Sequence, residues 1–131
     1  MGYIRMPHCA LVIEDDAATS YIFQQVLSSL GLSVSSAGDG ATALECLHHQ
    51  TYDLIFLDLL LPRVSGMELL QQCHQLEHLQ NAAIVIVTAH ARMRGELALR
   101  PNDQFLLKPV LLRDLYTVVS HALPDIVPVT P

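Results

Sequence analysis

Asp53-Leu-Ile-Phe-Leu-Asp58, followed by Leu59-Leu-Leu-Pro62, decides how this chain folds. Four consecutive apolar residues carry no alternation of polar and apolar positions. That is the signature of a strand buried on both faces, and it ends abruptly on a carboxylate. Working outward, similar short runs recur: Cys9-Ala-Leu-Val-Ile13 before Glu14-Asp15-Asp16, residues 82–87 before Thr88, and residues 104–107 before Lys108-Pro109. Residues 32–37 alternate weakly and read as a further strand.

Helical periodicity fills the intervals. Ile22, Val26 and Leu30 share one face of a helix over 17–30, with Gly31 as its cap. Asp39 is an N-cap for a helix through His48. Ser65-Gly-Met-Glu68 fits a capping box that opens a helix to about Glu77. Leu111, Leu115, Val118 and Ala122 mark a closing helix. Only residues 91–101, cut off by Pro101, pattern poorly, and a short or irregular fourth helix is expected there. Buried strands alternating with amphipathic helices predict an α/β fold, a doubly wound five-stranded parallel sheet with helices on both faces.

The chain of 131 residues is enough for one domain. Hydrophobic residues make up 51% and charged residues 15%, which excludes a disordered chain. The apolar runs are far too short to span a bilayer, and residues 1–6 do not resemble a signal peptide. The net charge of -6 argues against nucleic-acid binding through this domain. Cys9, Cys46 and Cys73 suggest no disulfide framework or zinc ribbon; reduced thiols and a cytoplasmic setting are expected. Residues 8–123 form the expected domain, and 124–131 a Pro-rich tail or linker.

In such a sheet, ligands bind beyond the carboxyl ends of the strands. Those ends carry Glu14-Asp15-Asp16, Asp58, Thr88 and Lys108, the chain's only lysine. Carboxylates gathered this closely repel one another unless a cation neutralises them, and hard oxygen donors suit Mg²⁺. A carboxylate beside Mg²⁺ can attack a phosphoryl group, while a lysine and a hydroxyl offset charge on the transferred oxygens.

On these segments, together with Gly66, Ile84-Val-Ile-Val-Thr-Ala89 and Phe105-Leu-Leu-Lys-Pro109, the chain resembles a response-regulator receiver domain. This is the phospho-acceptor module of two-component signalling. The resemblance implies a flavodoxin-like strand order of 2-1-3-4-5. It implies Asp58 as the phospho-acceptor, with Thr88 and Lys108 contacting the phosphoryl group. It implies Mg²⁺ held by Asp15, Asp58 and the backbone carbonyl of Leu60, with Glu14 acting largely through water. Thr88 and Phe105 would be the switch pair, and Lys108-Pro109 a cis peptide. The domain would catalyse its own phosphorylation and dephosphorylation without being a conventional enzyme. The expected partners are a sensor histidine kinase or phosphotransfer protein and a downstream protein on the face of the fourth helix, fifth strand and closing helix. A phosphorylation-dependent homodimer through that face is left open. Glu14 stands where Asp is commoner, and Arg100-Pro-Asn-Asp103 replaces the family's usual Gly-Ala step.

Other readings compete. A receiver-like interaction module would work without phosphorylation. Gly38-x-Gly40-x-x-Ala43, with Asp58 further on, matches a dinucleotide fingerprint, but leaves Glu14, Asp15 and Lys108 unused. An independent aspartyl phosphatase would need an acid at Leu60. His74 and His78, at i and i+4, could clamp a metal but are more often a solvated face. His90 lies near the site mouth. Arg92, Arg94 and Arg100 read as a solvated basic face.

Overall fold

The computed structural model describes residues 7–126, so the expectations for residues 1–6 and for the tail beyond 126 lie outside the described residues. Five parallel strands form one sheet in the order β2-β1-β3-β4-β5: β1 Cys9–Ile13, β2 Ser33–Ala37, β3 Leu54–Asp58, β4 Ala83–Thr88 and β5 Gln104–Leu107. The central β3 and β4 are buried along their whole length, as their unbroken apolar runs predict. The serine-rich β2 lies at an edge.

Successive side chains alternate between two cores. Leu11, Ile13, Ile55, Leu57, Ile84 and Ile86 pack with Leu47, Leu69 and Cys73. Ala10, Val12, Leu54, Phe56, Val85 and Val87 pack with Phe23, Leu27, Leu115 and Val119. Phe23 and Phe56 meet with ring centroids 5.5 Å apart. Truncating a fully buried leucine such as Leu57 would cost about 2–5 kcal/mol.

Polar residues set the helix starts. In α1 (Ala17–Ser29), Asp16 Oδ2 accepts from the Thr19 amide at 2.9 Å. In α2 (Gly40–His49), Asp39 Oδ1 accepts from the Thr42 amide at 2.7 Å. Gly31, at φ +91°, turns the chain out of α1 while the Leu32 amide reaches back to Leu27 O, a geometry that favours glycine. In α4 (Leu112–Ala122), Asp114 Oδ2 accepts from the Leu111 amide.

The expectation for the third helix needs correction. Helix α3 (Gly66–Gln75) stops short of Glu77, because Leu76 is extended and Gln80 Nε2 donates to the His74 and Leu76 carbonyls. Its cap is a single bond, with Ser65 Oγ accepting from the Met67 amide at 3.1 Å. A short 3₁₀ turn, Glu77–Leu79, follows.

The β4–β5 crossover carries the short, irregular helix expected there, a 3₁₀ segment over Ala91–Glu96 with no α-helix. Its return to the sheet is pinned. Arg100 Nη2 and Asn102 Nδ2 both donate to Ala82 O, and Arg100 Nη2 lies 3.1 Å from Asp103 Oδ1. His74 Nε2 reaches the fully buried Asp103 side chain at 2.8 Å.

At the pole where the strands begin, His8 Nε2 lies 2.8 Å from Asp125 Oδ2, and His8 Nδ1 lies 3.6 Å from Asp53 Oδ2.

Candidate functional site

Strand register brings the polar strand ends to one edge. Asp58 is opposite Val87, Thr88 is opposite Leu107, and the Lys108 amide extends the ladder to Thr88 O at 2.8 Å. On the other side, Ile13 lies between Ala37 and Leu57, and the Glu14 amide bonds Ala37 O. Glu14, Asp58 and Lys108 are far apart in sequence yet arrive together because parallel strands all end at the same pole.

Lys108 Nζ donates to Glu14 Oε1 at 2.6 Å and to Asp58 Oδ2 at 3.2 Å. Both carboxylates are buried. Asp58 Oδ1 accepts from the Leu60 amide at 2.9 Å. Glu14, Asp15 and Asp58 each offer a carboxylate oxygen within 4.8 Å of the others. Asp15 is exposed, and Asp16 turns away to cap α1. Glu14 Oε2 is buried without a hydrogen-bond partner.

Burial, then the neighbouring Asp58, pushes the Glu14 carboxyl up to about 7. Burial disfavours the Lys108 ammonium, but its bonds to Glu14 and Asp58 outweigh that and raise its pKa overall. One ammonium thus stands between two carboxylates in a site that attracts further positive charge.

Thr88 is fully buried, and its Oγ1 accepts from the His90 amide at 3.2 Å. Phe105 lies in β5 opposite Ile86, half-buried against the core. The Lys108–Pro109 peptide is cis. A cleft of about 470 Å³ opens beside Lys108, lined by Thr19, Ile22, Phe23, Ala89, Pro109 and Val110.

The structure disperses the rival constellations. His78 Nε2 lies 2.6 Å from Leu47 O while His74 contacts Asp103, so the two rings have separate partners. Arg100 leaves the basic face for Asp103 and Ala82, and Arg94 lies over the Phe105 ring. Gly40 makes room for Val64, since a Cβ there would fall 2.2 Å from Val64 Cβ. No task for Gly66 is evident from its sequence context alone. A Cβ on Gly66 would lie 2.4 Å from Leu59 Cα, so only glycine lets α3 start against the loop that follows Asp58.

The model of the response regulator receiver domain family matches residues 10–120. The luminescence regulatory protein LuxO of Vibrio campbellii is 32% identical over 114 residues, 86% of this chain and 25% of that protein. The polar-differentiation response regulator DivK of Brucella anthropi is 26% identical, over 88% of this chain and 97% of its own length. This chain therefore spans about a quarter of the first relative and nearly all of the second. Among solved structures, the receiver domain of a Pseudomonas aeruginosa sensor histidine kinase, with magnesium in its active-site cleft, superposes with a TM-score of 0.79. It is 25% identical and covers 92% of this chain and 100% of that one. The Thermotoga maritima response regulator TrrA, in complex with Mg²⁺ and BeF, gives a TM-score of 0.79 at 25% identity, covering 88% and 99%. Among the described residues, no helix is long and apolar enough to cross a membrane.

Proposed function

The chain belongs to the response-regulator receiver family, and from that premise we propose that Asp58 accepts a phosphoryl group from a phosphohistidine on a sensor histidine kinase or phosphotransfer protein. The observation that carries this reading is Lys108 Nζ held between the buried carboxylates of Glu14 and Asp58. An Asp58 carboxylate oxygen attacks phosphorus, a P–O bond forms, the P–N bond breaks, and the imidazole leaves with the electron pair. Lys108 is already beside the acceptor, so its ammonium can follow the developing charge onto the phosphoryl oxygens. Thr88 donates its hydroxyl proton to one of those oxygens. The cleft beside Lys108 admits the donor's side chain.

The donor set fits Mg²⁺. All three carboxylates are hard oxygen ligands, and the orphaned Glu14 Oε2 is an acceptor that a cation-bound water would satisfy. Asp15, Asp58 and the Leu60 carbonyl would hold it, with Glu14 acting through water. Bound there, the metal supplies positive charge against the phosphoryl oxygens.

The added charge draws Thr88 toward Asp58 and Phe105 follows it inward. That shifts the population of the face formed by the crossover, β5 and α4, where Leu107, Leu111 and Leu112 stand exposed. A downstream protein reads that change in the cytoplasm, and hydrolysis at Asp58 ends it.

The test is an intact mass after incubation with acetyl phosphate and Mg²⁺. One added phosphoryl group, absent without Mg²⁺ and absent in Asp58→Asn, supports the reading. An unchanged mass overturns it in favour of an interaction module that works without phosphorylation.

A further inference from the structure

The Arg94 guanidinium carbon lies 5.8 Å from the centroid of the Phe105 ring. Arg94 belongs to the 3₁₀ segment that replaces a helix in the β4–β5 crossover, and it is exposed. Among the described residues it forms no ion pair, so the ring is the partner its charge finds. An aromatic face carries negative potential and attracts a cation within about 6 Å. The contact exists only while Phe105 remains half-buried beside the crossover. Movement of the ring toward the interior carries it away from a guanidinium that is exposed to solvent. The attraction therefore stabilises one of the two ring positions and not the other, which is what shifts an equilibrium.

We propose that Arg94 is a positioning residue that holds Phe105 in its resting place and so opposes the switch. The inference rests on the reading of Phe105 as the switch aromatic and deepens it. It also gives the short crossover a task. The residue just before that segment is His90, whose amide engages Thr88 Oγ1, so both members of the switch pair are held from one stretch of chain.

The test uses the whole chain labelled with 4-fluorophenylalanine. The three phenylalanines give three ¹⁹F signals, and Phe105→Leu identifies the one at issue. Mg²⁺ with beryllofluoride, a phosphoryl stand-in, is titrated until the Phe105 signal has moved. Arg94→Gln, which keeps bulk but not charge, should reach half-conversion at about two- to fivefold lower beryllofluoride, the scale of an exposed cation–π contact. Arg94→Lys should stay close to the parent chain. Superimposable titrations for all three proteins overturn the proposal. Equal shifts in the Gln and Lys variants also overturn it, because packing rather than charge would then be responsible. A parent signal that never moves, in a chain whose Asp58 takes up phosphoryl by mass, removes Phe105 as the switch and this inference with it, but leaves the acceptor reading intact. If Asp58 takes up nothing, that reading falls as well.

Discussion

Lys108 Nζ lies nearer to Glu14 Oε1, at 2.6 Å, than to the Asp58 oxygen it also contacts. The ammonium acts as the site's internal counter-ion and competes with any cation that enters. Lys108→Met should therefore bind Mg²⁺ on the order of tenfold more tightly, since a unit charge is removed at close range from a partly buried site. Phosphoryl uptake from acetyl phosphate should fall by about tenfold or more. Calorimetric titration and intact mass read the two effects, and weaker Mg²⁺ binding in the variant would remove Lys108 from this role.

Glu14 makes the fold sensitive to pH. Its ordinary value of 4.5 rises to about 7 in the folded chain, chiefly through burial. The folded state thus holds a proton that the unfolded chain has released. The associated stability is fully present below about pH 4.5 and is lost as pH rises through about 7. Lys108 stays charged throughout this window, because its own pKa is raised. Urea midpoints without divalent ions should fall between pH 5 and pH 8, and Glu14→Gln should flatten that slope.

Asp103 is the buried node of the crossover's return, bonded by Arg100 and His74. Asp103→Ala leaves the half-buried Arg100 without its carboxylate and should cost about 3 kcal/mol. Chemical denaturation measures this directly, and a loss below about 1 kcal/mol would mean that solvent replaces the network.

Gly66→Ala forces a methyl group onto the Leu59 backbone, 2.4 Å from its Cα. The expected cost is about 1–3 kcal/mol, the range for overpacking. Because Leu59 directly follows Asp58, slower phosphoryl uptake should accompany the lower melting temperature. Unchanged uptake would confine the effect to packing.

The strands and their polar ends were legible because both are local. An apolar run such as 54–57 declares burial, and the carboxylate, hydroxyl or ammonium after it declares the edge. The irregularity of the crossover was legible in the poor pattern of residues 91–101 and in Pro101, but its path was not, because what shapes that path is distant in sequence. Arg100 finds Ala82, and Asp103 finds His74 across 29 residues, with no local pattern to announce either. The i, i+4 spacing of His74 and His78 assumed a continuous helix, but the chain breaks at Leu76 and gives each ring its own partner. Arg94 and Phe105 likewise meet only through the crossover's path.

The bond between His8 and Asp125 bears on how the chain can be connected to anything else. It holds the incoming and outgoing backbone together at the pole where the strands start, a full strand length from Asp58. A fusion partner joined directly at His8 or at Asp125 would sit away from the cleft beside Lys108. The same proximity makes the fold suited to circular permutation, with a short linker across the His8–Asp125 gap and new ends cut elsewhere.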